Sequence, residues 1–192
     1  LIVTGGHDQA CGALGVALNR PGLSSVSTGT AEVVEVVIDS PLLNQTFFES
    51  NLSLYHHVIP NLYLAMTLNH CGGILLRWFR DVFCQNEIAL ANQIGVNIYD
   101  FILGNEAPYP TGILTLPHFM GSGTPSFDTH SRGVILGLTL SHGKRDLARA
   151  ILEGLCYELR LNLDILKHSG VKIDQLRVLG GGAQSDLWLQ LK

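Results

Sequence analysis

Gly133-Val134-Ile135-Leu136-Gly137-Leu138, seven residues further Asp146-Leu147, and two further Ala150-Ile151-Leu152-Glu153 form the stretch on which the fold turns. Its first part is an apolar, β-branched run of strand length between glycines. Its second part opens the best helix of the chain, Lys144–His168. There Leu147, Ile151, Leu155, Leu159, Leu163 and Leu166 make one apolar stripe, and Arg145, Arg149, Glu153, Arg160, Asp164 and Lys167 lie away from it. Asp146 stands in the first turn, where the helix dipole favours an anion, and Ser169-Gly170 supplies a left-handed stop. Downstream, Gln175–Leu179 reads as a strand, Gly180-Gly181-Gly182 as a turn, and Ser185–Lys192 as the start of a helix.

Upstream, Leu1–Thr4 is a short apolar strand ending in Gly5-Gly6, and Asp8–Leu18 is a small-residue helix with Asp8 placed like a cap. Asn19-Arg20-Pro21-Gly22 is a turn. Ser24–Thr28 and Glu32–Ile38 read as a hairpin closed by Gly29-Thr30-Ala31. Residues 39–60 read as loop, Leu62–Leu68 as a third strand, Gly72–Phe83 as a helix and Glu87–Leu103 as another. Asn105–Pro110 is a breaker, and Ile113–Phe119 is a strand followed by the loop Gly121-Ser122-Gly123-Thr124-Pro125. That loop looks like a phosphate loop but ends in Pro instead of opening a helix with Lys, so it reads as structural. Strands in hairpins followed by strands alternating with helices predict an α/β fold with a mixed sheet flanked by helices.

Charged residues are only 15% of the 192, against 46% hydrophobic, so much of the surface is expected to be uncharged, as in a piece that packs against something else. A net charge of −4 with 12 Lys+Arg and no basic cluster argues against nucleic acid or an anionic membrane as partner. No apolar run approaches the ~18–20 residues of a membrane span, and the start lacks the pattern of a signal peptide. Cys11, Cys71, Cys84 and Cys156 are widely spaced and read as free thiols in a reducing cytoplasm. The histidines show no zinc-type spacing, so no metal ligand is assigned among the side chains.

Small-residue turns carry what chemistry the chain shows: Gly5-Gly6-His7-Asp8, Ser27-Thr28-Gly29-Thr30 and Gly180-Gly181-Gly182-Ala183. Glycine lets backbone N–H groups approach a phosphate, and a hairpin turn with Gly-Thr offers amides and a hydroxyl to a phosphate chain. Each alone is also an ordinary turn. Asp8, a carboxylate beside glycines, fits either a helix cap or a base that takes a proton from a hydroxyl nucleophile.

Taken together and in order, these segments resemble the FGGY carbohydrate kinases. Gly5-Gly6-His7-Asp8-Gln9 is similar to the stretch holding that family's catalytic aspartate, and Ser27-Thr28-Gly29-Thr30 to its phosphate hairpin. Gly72-Gly73-Ile74-Leu75-Leu76-Arg77-Trp78 resembles the helix start under the adenine, and Gly181-Gly182-Ala183-Gln184-Ser185-Asp186 the adenosine loop. The opening stretch, Gly133 to Glu153, resembles the family's carboxy-terminal signature at each constrained position.

The resemblance implies an actin-like (ribonuclease H-like) ATPase fold, with ATP, Mg2+ and a sugar or polyol in a cleft between two domains. Asp8 would be the general base, with His7 and Gln9 contacting the sugar. Gly29 and Thr30 would hold the terminal phosphates, and Gly73, Arg77, Gly181, Gly182, Ala183 and Asp186 would bound the adenosine. Arg77 and Asp186 depart from the family pattern, since glycerol-kinase-like members carry glutamine and asparagine there. The same resemblance implies an incomplete fragment, with 1–22 closing an amino-terminal region and 23–192 forming a nucleotide-binding domain truncated at its end. Its expected partners are the rest of the same enzyme and a second copy in a homodimer. The alternative is a non-catalytic, nucleotide-binding regulator of the actin-like superfamily, which the spacing from Gly133 to Glu153 disfavours.

Overall fold

The computed structural model describes residues 6–104 and 110–192. The expected strand at Leu1–Thr4 and all but the last residue of the breaker at 105–110 lie outside the described residues.

The hairpin forms as its turn predicts. β1 (Leu23–Thr28) and β2 (Glu32–Ile38) pair antiparallel, with Thr28 opposite Glu32 across the turn. β4 (Tyr63–Asn69) adds antiparallel to β2, β3 (Ser53–His56) adds antiparallel to β4, and β7 (Gln175–Gly180) joins β1 in parallel. The sheet order is β3-β4-β2-β1-β7. The long helix α6 (Lys144–His168) precedes β7 and supplies the crossover that a parallel neighbour needs. A second, two-stranded sheet pairs β5 (Leu114–Leu116) with β6 (Val134–Leu136).

Both faces of the main sheet are covered, so β2 is buried at all seven positions instead of alternating. Val34, Val36 and Ile38 face one way with Val26 and Ala65, and pack on Leu159 and Leu166 of α6. Val33 and Val37 face the other way with Leu64 and Met66, and pack on Ala10 and Ala13 of α1 (Asp8–Gly15). The amino-terminal half of α6 builds a third cluster, in which Ile151, Leu152 and Leu155 meet Leu75 and Phe79 of α3 (Gly73–Phe83). Each such side chain contributes roughly 1.5–3 kcal/mol of burial. Gly154 sits mid-helix because α6 crosses β5 there; a Cβ would stand 2.3 Å from the Thr115 carbonyl oxygen. α6 ends as expected at Ser169, with Gly170 left-handed (φ 90°) and Val171 N–H donating to Leu166 O at 3.0 Å.

Several expectations shift. Residues 39–60 are not all loop: they hold α2 (Gln45–Glu49), capped by Asn44, and β3 at the sheet edge. A five-residue helix and a four-residue strand are too short to show a period. The helix expected over 87–103 is two, α4 (Gln85–Ile94) and α5 (Ile98–Leu103). Gly95 in the left-handed region (φ 73°) stops the first, and Asn97 caps the second by accepting from Tyr99 N–H at 2.8 Å. The strand expected over 113–119 shrinks to β5, because Pro117 has no N–H to give. The cap of α1 is His7, one residue before Asp8. Part of the expected uncharged surface lies around the small sheet, where Leu114, Val134, Leu136, Leu138 and Leu140 are all exposed.

Candidate active site

The first turn of α3 rests on the hairpin turn. Gly72 N–H donates to Thr30 O at 2.8 Å and Gly73 N–H to Gly29 O at 2.7 Å. Only glycine allows this approach, since a Cβ on Gly72 would lie 2.6 Å from the Ala31 carbonyl oxygen. On the other side, β7 delivers Gly180 opposite Thr28, and the 3₁₀ turn Gly181–Gln184 leads into α7 (Asp186–Leu191). α5 closes the remaining side.

These elements surround a cleft of about 460 Å3. Of the residues expected from the sequence, Gly29, Thr30, Gly73, Arg77, Gly181 and Gly182 line it together. Ala183 and Asp186 are not among its lining residues; Asp186 is an exposed residue starting α7. The Gly29 amide is already engaged, donating to Ala31 O at 3.0 Å, so the turn offers a ligand chiefly its Thr30 side. Sequence reasoning missed the wall from α5, with Asn97, Tyr99, Asp100 and Leu103, and also Trp188 of α7. The stop at Gly95 and the cap at Asn97 were the signals that could have found α5.

His7, Asp8 and Gln9 stand together at the start of α1, apart from the lining of this cleft. α1 lies across the sheet. At one end the His7 ring stacks on Tyr55 of β3, with centroids 5.1 Å apart. At the other, Arg177 of β7 donates to the carbonyls of Val16 and Ala17. The Asp8 side chain is 87% exposed; its Oδ1 lies 3.3 Å from His7 Nδ1 and accepts from Gln9 N–H at 2.8 Å.

Under α1 the sheet holds a second carboxyl. Glu35 is 1% exposed, and its Oε2 accepts from the Ser25 hydroxyl at 3.2 Å, while Oε1 has no hydrogen-bond partner among the described residues. Burial pushes the Glu35 carboxyl up to about 7; the Ser25 hydroxyl offsets this and the negative charge of Asp8 adds to it. A folded-state value above the unfolded one means stability is full below the ordinary value and falls as pH rises through about 7. Glu35→Gln should remove this loss. In urea unfolding at pH 5 and pH 8, the wild type should lose roughly 2–3 kcal/mol more than the variant between the two. Equal losses would mean Glu35 is not protonated in the folded chain.

Among the described residues no group of three or more His, Cys, Asp or Glu could hold a metal ion. No helix among them is long and apolar enough to cross a membrane. The four cysteines are free.

Residues 24–192 match the FGGY family of carbohydrate kinases, C-terminal domain. The whole chain is 32% identical to a xylulose kinase of Staphylococcus epidermidis (strain ATCC 12228 / FDA PCI 1200), of which it covers 36%. Over 98% of its length it is 32% identical to a gluconokinase of Bacillus subtilis (strain 168), covering 37% of that protein. Among solved structures it is similar to a "xyloylose kinase" from Brucella ovis, with a TM-score of 0.82 and 28% identity over 97% of this chain and 36% of that one. The mixed sheet flanked by helices is the actin-like fold of those carbohydrate kinases. The chain thus spans little more than a third of the length of the relatives it matches.

Proposed function

The chain belongs to the FGGY family of carbohydrate kinases, and from that membership we propose that the protein transfers the terminal phosphoryl group of ATP to a hydroxyl of a sugar or polyol. The observation that carries this reading is the meeting of the Gly29-Thr30 turn, the Gly73–Arg77 helix start and the Gly181-Gly182 turn in one cleft. Thr30 would hold the terminal phosphates, and the adenosine would lie between α3, α5 and Trp188. Arg77 brings a positive charge to a site whose ligand is an anion.

Asp8 is the general base. It takes the hydroxyl proton as the sugar oxygen bonds to the γ-phosphorus. The bond from that phosphorus to the β,γ-bridging oxygen breaks, and its electron pair leaves with ADP. His7 and Gln9, beside it, orient the sugar. Mg2+, when bound with the nucleotide, neutralises phosphate charge. It ordinarily takes only one or two carboxylates and leaves its remaining positions to phosphate oxygens and water, so it would arrive on the nucleotide. The relatives named xylulose kinase and gluconokinase support a ketose or sugar acid as acceptor.

The 192-residue polypeptide alone is expected to hold nucleotide without phosphorylating sugar. With the Asp8 side chain 87% exposed, no described residue shields the reacting atoms from water. The test is ADP release by an enzyme of the relatives' length that contains this chain, with ATP, Mg2+ and a panel of pentuloses, hexuloses, gluconate and glycerol. One acceptor should raise the rate far above the ATP-only rate, and the 192-residue polypeptide should show no such rise. If no acceptor stimulates that enzyme, the kinase reading fails; turnover by the polypeptide alone overturns only its expected inactivity.

A further inference from the structure

Two walls of the cleft touch at one residue. Thr28 ends β1 opposite Gly180, and a Cβ there would stand 2.6 Å from the Thr28 carbonyl oxygen. A Cβ on Gly182 would stand 2.8 Å from Thr28 Cγ2. The Thr28 hydroxyl belongs to a buried polar group. It donates to Glu32 Oε2 at 2.9 Å and accepts from Lys192 Nζ at 2.7 Å. The same ammonium reaches Glu32 Oε2 at 2.5 Å and lies 5.1 Å from the Trp188 ring centroid. Both ions are out of water, with side chains 3% and 1% exposed.

A buried ion pair is weak evidence of a stabilising role, because both charges give up their hydration and an apolar pair of similar volume often serves as well. What it does supply is direction: the ammonium and carboxylate hold a hydroxyl at fixed angles, which apolar contacts do not. Its placement gives that direction a use. Glu32 immediately follows the Gly29-Thr30-Ala31 turn, Lys192 follows α7, and Thr28 and Trp188 both line the cleft. A tie between them spans from the phosphate-side turn to the adenosine-side wall.

We propose that the Glu32–Lys192 pair is a positioning clamp: through Thr28 it sets the separation of the Gly29-Thr30 turn from the Gly181-Gly182 turn, and so how tightly the cleft holds the phosphates of a nucleoside triphosphate. This rests on the nucleotide reading given above. A misplaced turn weakens the grip on phosphates and leaves that on the nucleoside, which separates positioning from general support of the fold.

The test measures Kd for ATP and for adenosine, with Tm, in the wild type, Lys192→Met and the apolar pair Glu32→Leu/Lys192→Met. Lys192→Met should lower Tm and weaken ATP about tenfold, because it leaves the Glu32 carboxylate buried and unpaired. The apolar pair should recover most of the lost Tm yet stay about tenfold weak for ATP, with adenosine within about twofold of wild type. If the apolar pair does not fold, the near-isosteric Glu32→Gln carries the same comparison. ATP affinity that recovers with Tm, or ATP and adenosine affinities that fall together, would make the pair a fold support only and overturn the clamp. Wild-type binding with all variants unchanged overturns the clamp alone. A wild type that binds neither ligand overturns the nucleotide reading and the clamp with it.

Discussion

In an enzyme of the relatives' length that contains this chain, Asp8→Asn is expected to lower turnover about 10²–10⁴-fold, the usual contribution of a general base, while leaving the nucleotide Kd within about twofold. Asparagine keeps the size of the side chain and the acceptor oxygen that Gln9 N–H uses at 2.8 Å, so α1 has no reason to move. It removes only the capacity to take a proton. The side chain sits outside the lining of the cleft, so the nucleotide should not sense the change. The measurement is steady-state kinetics with the preferred acceptor beside a direct nucleotide titration. If kcat stays within a few-fold, Asp8 is a helix-start residue and the base lies elsewhere. If activity and nucleotide affinity fall together, the substitution has disturbed more than a proton acceptor.

Gly72→Ala is expected to weaken nucleotide binding at least about tenfold and to destabilise the protein by roughly 1–3 kcal/mol, the range seen for forced overpacking. The new Cβ would meet Ala31 O at 2.6 Å, Ala31 C at 2.7 Å and Glu32 N at 3.1 Å. All three are backbone atoms, so relief must come from moving the hairpin turn away from α3. That strains the Gly72–Thr30 and Gly73–Gly29 hydrogen bonds and opens the cleft at the turn expected to hold phosphate. Gly12→Ala is the control. It lies inside α1 with nothing within 4 Å of its would-be Cβ, and helix propensity alone predicts a gain of up to about 1 kcal/mol. Calorimetry and urea unfolding on both variants decide the matter. Unchanged nucleotide affinity in Gly72→Ala would mean that the turn is not part of the binding site.

The long, periodic and strongly punctuated elements were legible in the sequence. α6 begins and ends where the apolar stripe, Asp146 and Ser169-Gly170 place it, and the β1–β2 hairpin closes on its expected turn. Short elements were not, because α2 and β3 carry too few residues for any period to emerge. The site was half legible for a related reason. Glycine turns announce themselves, so Gly29, Gly181 and Gly182 could be marked from the residues, while Gly73 and Arg77 came only with the resemblance to the FGGY kinases. Asn97, Tyr99 and Asp100 could not be, while 87–103 read as one helix, since their approach to the cleft depends on the break at Gly95. Nothing local in Glu32-Val33-Val34-Glu35 says that both glutamates are buried. Three residues apart in a strand, they point to opposite faces, and each face is covered by a helix far away in sequence. Lys192 meets Glu32 across 160 residues, a pairing that only the parallel return of β7 creates.

The most direct test of the central claim is a structure of the protein with ADP bound. The expected result places the phosphates against the Gly29-Thr30 turn and the adenosine between Gly73, Trp188 and the Gly181-Gly182 turn. ADP bound at any other surface, with this cleft empty, would contradict it.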